Sequence, residues 1–193
     1  ANALINQQAE VAILILAPIL VVFITFISWI VILLYSTKFV PVTGMIQWAA
    51  LGMYFKAASW SIGFIFLAKG ASSVFFWSEL ISNSYILLFN IFGYHFFGLT
   101  GLGISFLISY AFVLLQVFFI AKFKYAYSFD FEFLKIFGLQ IGLGIGSFIT
   151  SKYLGTPWNY ILGLPFIIIS VWYSFLELDK RIDLKSIINN FRK

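Results

Sequence analysis

The stretch VAILILAPILVVFITFISWIVILLY, residues 11–35, contains no charged side chain. A helix needs about 20 apolar residues to cross a hydrocarbon layer ~30 Å thick, so this run is long enough to span a membrane unaided. A membrane barrel strand would be about ten residues long and would alternate polar with apolar side chains. Residues 11–35 are more than twice that length and apolar on every side, which reads as a transmembrane helix. The pattern recurs along the chain, with further candidate spans at 45–68, 71–92, 98–121, 133–150 and 158–176. The expected fold is therefore an all-α integral membrane bundle of about six transmembrane helices.

The intervals between these runs have physical causes. Residues 36–44 contain Lys38, Pro41 and Gly44, all unfavourable at mid-membrane depth. Lys69-Gly70 makes a tight turn, and Gly93-Tyr94-His95 is expected to separate the third span from the fourth. Residues 122–132 form the longest polar interval, with Lys122, Lys124, Asp130 and Glu132. Gly155-Thr156-Pro157 places a proline where the first turn of the sixth helix tolerates one. Pro18 and Pro165 fall inside spans, where a missing backbone N–H tends to bend a helix.

Composition points the same way. Of 193 residues, 62% are hydrophobic and 10% charged, against about 25% charged in globular domains. Mean hydropathy is +1.02. The chain has no cysteine and one histidine, which excludes disulfides, zinc–thiolate and multi-histidine metal sites. The net charge of +5 gathers at the ends of the apolar runs, which points to membrane orientation and not to nucleic acid. No cofactor is implied. The chain begins at Ala1, with no basic stretch ahead of the first apolar run, so it is expected to be a fragment whose N-terminus lies upstream.

Orientation follows from the cations. If the first span runs outward, the inner loops and tail hold Lys69, Lys122, Lys124, Lys135, Lys180, Arg181, Lys185, Arg192 and Lys193, and the outer loops only Lys38 and Lys152. The positive-inside rule then places the C-terminus in the cytoplasm of a cell with a multi-pass inner (plasma) membrane protein. Leu184, Ile187, Ile188 and Phe191 recur at helical spacing among basic residues, so residues 177–193 are expected to lie along the inner membrane surface and contact lipid.

Two ionisable residues lie deep within spans, Lys56 in the second and Glu79 in the third. Each costs about 2.5–3.5 kcal/mol or more to insert, and such residues normally face a bundle interior. Counted from the turn at Lys69-Gly70, their heights differ by about 7 Å, within reach of a lysine side chain. Asn83 lies nearer the level of Lys56. Lys56 is a candidate for attracting an anionic substrate and Glu79 for carrying a coupling proton or cation; a purely structural ion pair is the competing reading. Lys69, at the membrane edge, is a candidate headgroup or phosphate contact, and Trp60 a candidate cavity residue. Gln47, Ser59, Ser61, Ser82, Asn83, Ser84 and Asn90 concentrate in the second and third spans, which suggests that these two face a wet cavity. Gly138, Gly142 and Gly146 recur every four residues, the small-residue spacing that lets membrane helices approach closely. Gly98, Gly101 and Gly103 are expected to do the same for the fourth span. No catalytic triad or nucleotide-binding loop is present in the sequence, so the chain is not read as an enzyme.

A series of short motifs runs in order: Asn6-Gln7-Gln8-Ala9-Glu10 leading into a helix with Pro18, then Leu33-Leu34-Tyr35-Ser36 and Phe39. After these come Trp48-Ala49-Ala50-Leu51-Gly52, Lys56, Ser59-Trp60, Leu67-Ala68-Lys69-Gly70, Glu79, and Gly98-Leu99-Thr100-Gly101-Leu102-Gly103-Ile104-Ser105. This series resembles the C-terminal half of the Wzx-type O-antigen flippases, polysaccharide-biosynthesis members of the multidrug/oligosaccharidyl-lipid/polysaccharide exporter superfamily. The resemblance covers roughly residues 1–121. It implies that 1–121 are the last four helices of the second lobe of a MATE-like transporter, 122–132 a cytoplasmic loop and 133–176 two appended helices. It further implies transport of an undecaprenyl-diphosphate-linked oligosaccharide across the bacterial inner membrane by alternating access. The missing N-terminal lobe of the same protein would be a required partner, so the fragment alone is not expected to transport. A cationic Lys56 suits a diphosphate. The alternatives are a cation-coupled multidrug exporter of the same superfamily, a membrane enzyme of polysaccharide assembly, or an accessory membrane subunit.

Overall fold

The computed structural model describes residues 2–182; of the surface tail expected at 177–193, residues 177–182 instead continue the last helix into the bundle, and the remainder falls outside the described residues. Among the described residues there are helices and short connections and no strand. The helices are α1 (Asn2–Leu34), α2 (Thr43–Ala68), α3 (Ser72–Tyr125), α4 (Phe131–Tyr153) and α5 (Trp158–Ile182), with a 3₁₀ turn at Thr37–Val42. All five are long and apolar enough to cross a membrane, the architecture of a multi-pass membrane protein. Pro18 and Pro165 are accommodated within continuous helices.

α3 contributes two rods rather than one. At Gly98 the backbone takes φ 58° and ψ −140°, a conformation open to glycine because it lacks a Cβ, and the helix folds back. Ser105 Oγ donates to the Phe89 carbonyl at 2.7 Å, and Gln116 Nε2 donates to Ser78 Oγ and Ser82 Oγ at 3.0 and 3.1 Å. These pairs bring together residues nearly equidistant from the bend, so the outgoing arm (72–97) and the return arm (99–125) are antiparallel. The six rods expected from hydropathy are present, but Gly93-Tyr94-His95 is helical and the reversal comes at Gly98.

α1 is the central rod. Ala9, Ile13, Ala17, Leu20, Ile24 and Val31 recur along its length as buried positions, and it packs against α2, α4 and α5. The α3 hairpin packs chiefly on α2. Its return arm runs parallel to α2: Gly103 meets Met45, Gly52 meets Leu107, and farther along Ile62 and Phe66 share a core with Val113, Val117 and Ala121.

Apolar packing gives little drive for association between helices in lipid, so small residues and interhelical hydrogen bonds carry it. Thr25 and Ser147 hydroxyls meet at 2.7 Å between α1 and α4, Gln47 Nε2 donates to Ser151 Oγ at 2.8 Å between α2 and α4, and Gln140 bonds Ser170 and Ser174 between α4 and α5. The glycines of α4 follow the expected stripe only at Gly146. A Cβ on Gly138 or Gly142 would meet nothing within 4 Å, whereas Gly144 lies against Tyr54 and Gly146 against Phe166. The expectation for the fourth span holds at two of its three glycines: a Cβ on Gly101 would collide with the Gly93 carbonyl and one on Gly103 with that of Met45, while one on Gly98 would meet nothing within 4 Å.

These contacts separate the glycines by consequence. Gly103→Ala is expected to destabilise the bundle by about 1–3 kcal/mol through overpacking. Gly138→Ala should be neutral or stabilising by up to ~1 kcal/mol, because alanine is the better helix former. Unfolding in mixed detergent–denaturant micelles checks the order.

Candidate functional site

One stripe of α2 is left open. Tyr54, Ala58, Ile62 and Ile65 are buried against neighbouring helices, while Lys56 and Trp60, one turn apart, lie towards the other side. The Lys56 ammonium sits 5.2 Å from the Trp60 ring centroid, 5.7 Å from Phe106 and 5.1 Å from Tyr110. Two of these rings come from the return arm of α3. Each such contact contributes about 0.5–2 kcal/mol, more as the site dries. Three together are of the order of the ~2.5–3.5 kcal/mol insertion cost of a lysine. The rings thus hold the charge without neutralising it.

Lys56 and Glu79 do not pair: the salt bridges among the described residues involve other side chains. Their positions along the return arm explain why. Lys56 stands beside Phe106 and Tyr110, whereas Glu79 shares a cleft with Val113 and Val117. Seven residues separate these levels, about 10 Å of helix, and the return arm occupies the side of α2 that Lys56 reaches. Asn83 is exposed and donates to the Glu79 carbonyl of its own helix at 2.8 Å, so it does not approach Lys56. Lys69 is exposed at the C-terminal cap of α2, away from both charges.

The two charges open on adjoining concavities. A cleft of ≈ 490 Å³ between α1 and α2 is lined by residues including Gln8, Met53, Lys56 and Trp60. A second, of ≈ 240 Å³, lies between α2 and α3 and is lined by Ser59, Trp60, Gly63, Phe75 and Glu79 among others. Trp60 and Phe64 belong to both. The indole, 61% exposed, therefore stands as the partition between a half-buried ammonium and a half-buried carboxylate. The polar residues expected to line a cavity divide between the clefts and other work. Ser59 and Ser61 do line the clefts while bonding back to carbonyls of α2, whereas Ser84 and Asn83 bond back to carbonyls of their own helix, Gln47 ties α2 to α4, and Ser82 belongs to the hydrogen-bonded core of the hairpin.

The sequence reading missed an ionic clasp at the Lys69 end of the bundle. Arg181 Nε lies 2.6 Å from Glu10 Oε2 and its Nη1 2.6 Å from Glu177 Oε2, while Lys180 Nζ reaches Glu177 Oε1 at 2.7 Å. The clasp fastens the last turn of α5 to the start of α1 across 171 residues of sequence. Nearby, Tyr127 donates its hydroxyl to Asn6 Oδ1, and Asn6 Nδ2 donates to the Ser128 carbonyl. Burial, reinforced by Asp130 and Glu10, pushes the Tyr127 hydroxyl above the ordinary phenol range. A helical carboxylate at the head of a long apolar run, and an arginine just past the end of another, were the only sequence signals of this contact. No group of three or more histidine, cysteine, aspartate or glutamate residues suited to a metal ion occurs among the described residues.

Comparison with known proteins finds no family model, no curated protein and no solved structure that matches this chain.

The clasp makes a prediction independent of transport. Glu10→Ala removes a charged hydrogen bond from Arg181 and is expected to cost about 1.5–3 kcal/mol. Lys180→Ala, at an exposed i,i+3 pair, should cost at most ~0.5 kcal/mol. Thermal unfolding of the two variants in detergent checks the contrast.

Proposed function

We propose that this chain is the C-terminal part of a flippase that moves a lipid-linked oligosaccharide, of the undecaprenyl-diphosphate type, across the bacterial inner membrane by alternating access. The observation that carries the reading is the Lys56 ammonium. It is held by three rings, has no carboxylate partner among the described residues, and opens on a cleft between α1 and α2. A diphosphate is a fitting ligand for such a charge, since it gains electrostatic attraction in a site of low dielectric without first displacing an ion-pair partner. Glu79, in the adjoining cleft, is suited to exchange a proton or cation as the substrate charge comes and goes.

The motif series through residue 121 supports the same reading. On it, residues 1–121 complete the second lobe of a transporter, α4 and α5 are appended, and the open stripe of α2 looks towards the missing N-terminal lobe. The ends at Lys69 and Arg181 then lie in the cytoplasm, as the placement of cations favours. The chain is a carrier component and not an enzyme.

One observation favours a second reading. The cleft at Glu79 combines a single carboxylate with Trp60, Phe64, Phe66 and Phe75, a lining suited to a lipophilic cation. That would make the protein a cation-coupled drug exporter of the same superfamily.

The full-length gene product carrying Lys56→Ala or Glu79→Gln should insert normally but fail to restore surface polysaccharide in a flippase-deficient strain, with export reduced at least about tenfold. Normal polysaccharide from both variants would remove these residues from the mechanism. Unchanged polysaccharide together with lost resistance to cationic drugs would favour the exporter.

A further inference from the structure

The proposed diphosphate site leaves unassigned the largest exposed group beside it, the Trp60 indole. An aromatic residue needed only to solvate Lys56 would do so with its face covered, as Phe106 and Tyr110, both less exposed, do on the other side of the ammonium. Trp60 is instead 61% exposed and stands where the two clefts meet. One turn back along α2 is the ammonium; across the smaller cleft is the Glu79 carboxylate, with no side-chain hydrogen-bond partner among the described residues.

An indole with a cation over one face and a hydrogen-bond acceptor across the cleft from the other matches a pyranose joined to a phosphate. The sugar's C–H face is apolar and lies well on an indole. Its hydroxyls need acceptors at the rim, and its anomeric phosphate needs a cation about one ring away. Lys56 Nζ lies over one face of the indole, 5.2 Å from its centroid, so the sugar takes the opposite face, on the Glu79 side, and its phosphate turns round the indole edge to the ammonium. Size limits what this wall can take. The cleft on the Glu79 side is ≈ 240 Å³, below the ~300 Å³ at which pockets for drug-sized ligands begin. It therefore holds one ring rather than a chain of them. We infer that Trp60 is a specificity-determining platform for the first sugar of the lipid-linked substrate, the one attached to the diphosphate, with Glu79 accepting from its hydroxyls. This rests on the flippase reading and adds that recognition extends past the diphosphate to the sugar itself.

The test uses the full-length gene product in lipid nanodiscs free of sugar detergents, with two probes: farnesyl diphosphate, and farnesyl diphosphate carrying one N-acetylglucosamine. The wild-type chain should bind the sugar-bearing probe about fivefold to tenfold more tightly than the bare diphosphate. Trp60→Leu should bring the ratio of the two affinities to about one, whatever the loss of a ring beside Lys56 does to both, and Trp60→Phe should retain part of the preference. Lys56→Gln should weaken both probes together, by about tenfold. A Trp60→Leu chain that keeps the preference overturns the platform, as does a wild-type chain that binds both probes equally; in either case the diphosphate site stands. A wild-type chain that binds neither probe overturns the flippase reading and the platform with it. Circular dichroism of each variant separates lost binding from lost folding.

Discussion

A permanent charge carried in the middle of an apolar rod must be stabilised, and the way Lys56 is stabilised shapes what surrounds it. A carboxylate partner would have cancelled the charge and left a structural pin. Here three aromatic rings surround the ammonium at 5.1 to 5.7 Å, offsetting much of the insertion cost while leaving the field of the cation intact. Two of the three rings stand on the return arm of α3, so the hairpin must double back at Gly98 and lie parallel to α2 for the cage to exist. The close approaches at Gly52 and Gly103 let the arm come near enough to supply those rings.

The rest of the bundle divides into a rigid side and an open side. α1, α4 and α5 are held together by interhelical hydroxyl and amide contacts through Ser147, Gln140 and their partners, and by the Arg181 clasp. α5 turns large apolar residues such as Ile168 and Trp172 outward, as a lipid-facing helix does. The open stripe of α2, between α1 and the hairpin, carries Lys56 and Trp60 and borders Glu79. Placing the charged groups on this face, and satisfying most other polar side chains inside the bundle, concentrates polarity where a water-filled path would need it.

Hydropathy made the rods legible because lipid imposes a length and a composition on each of them. The breaks at residues 36–44 and at Lys69-Gly70 were legible from their residue types. The reversal lies a few residues beyond the Gly93-Tyr94-His95 interval that composition suggests: Gly93 lets the arms touch, and Gly98 carries the required dihedral. The separation of Lys56 from Glu79 was hidden because counting residues from a turn gives height and not azimuth, and the return arm that captures Lys56 lies 50 or more residues away in sequence. The same distance effect concealed the Glu10–Arg181 contact. In α4 the glycine period was real, but the packed faces belong to Gly144 and Gly146, so spacing alone could not tell which small residues meet a neighbour.

The central claim is that the stripe of α2 bearing Lys56 faces water or a hydrated partner and not acyl chains. The chain has no native cysteine, so single cysteines can be placed without background. In proteoliposomes exposed to a small membrane-impermeant thiol reagent, Met53→Cys and Gly63→Cys should react, and Ile168→Cys on the outer face of α5 should not. If the α2 positions stay as unreactive as Ile168→Cys while a loop control reacts fully, the stripe lies in lipid and the account is contradicted.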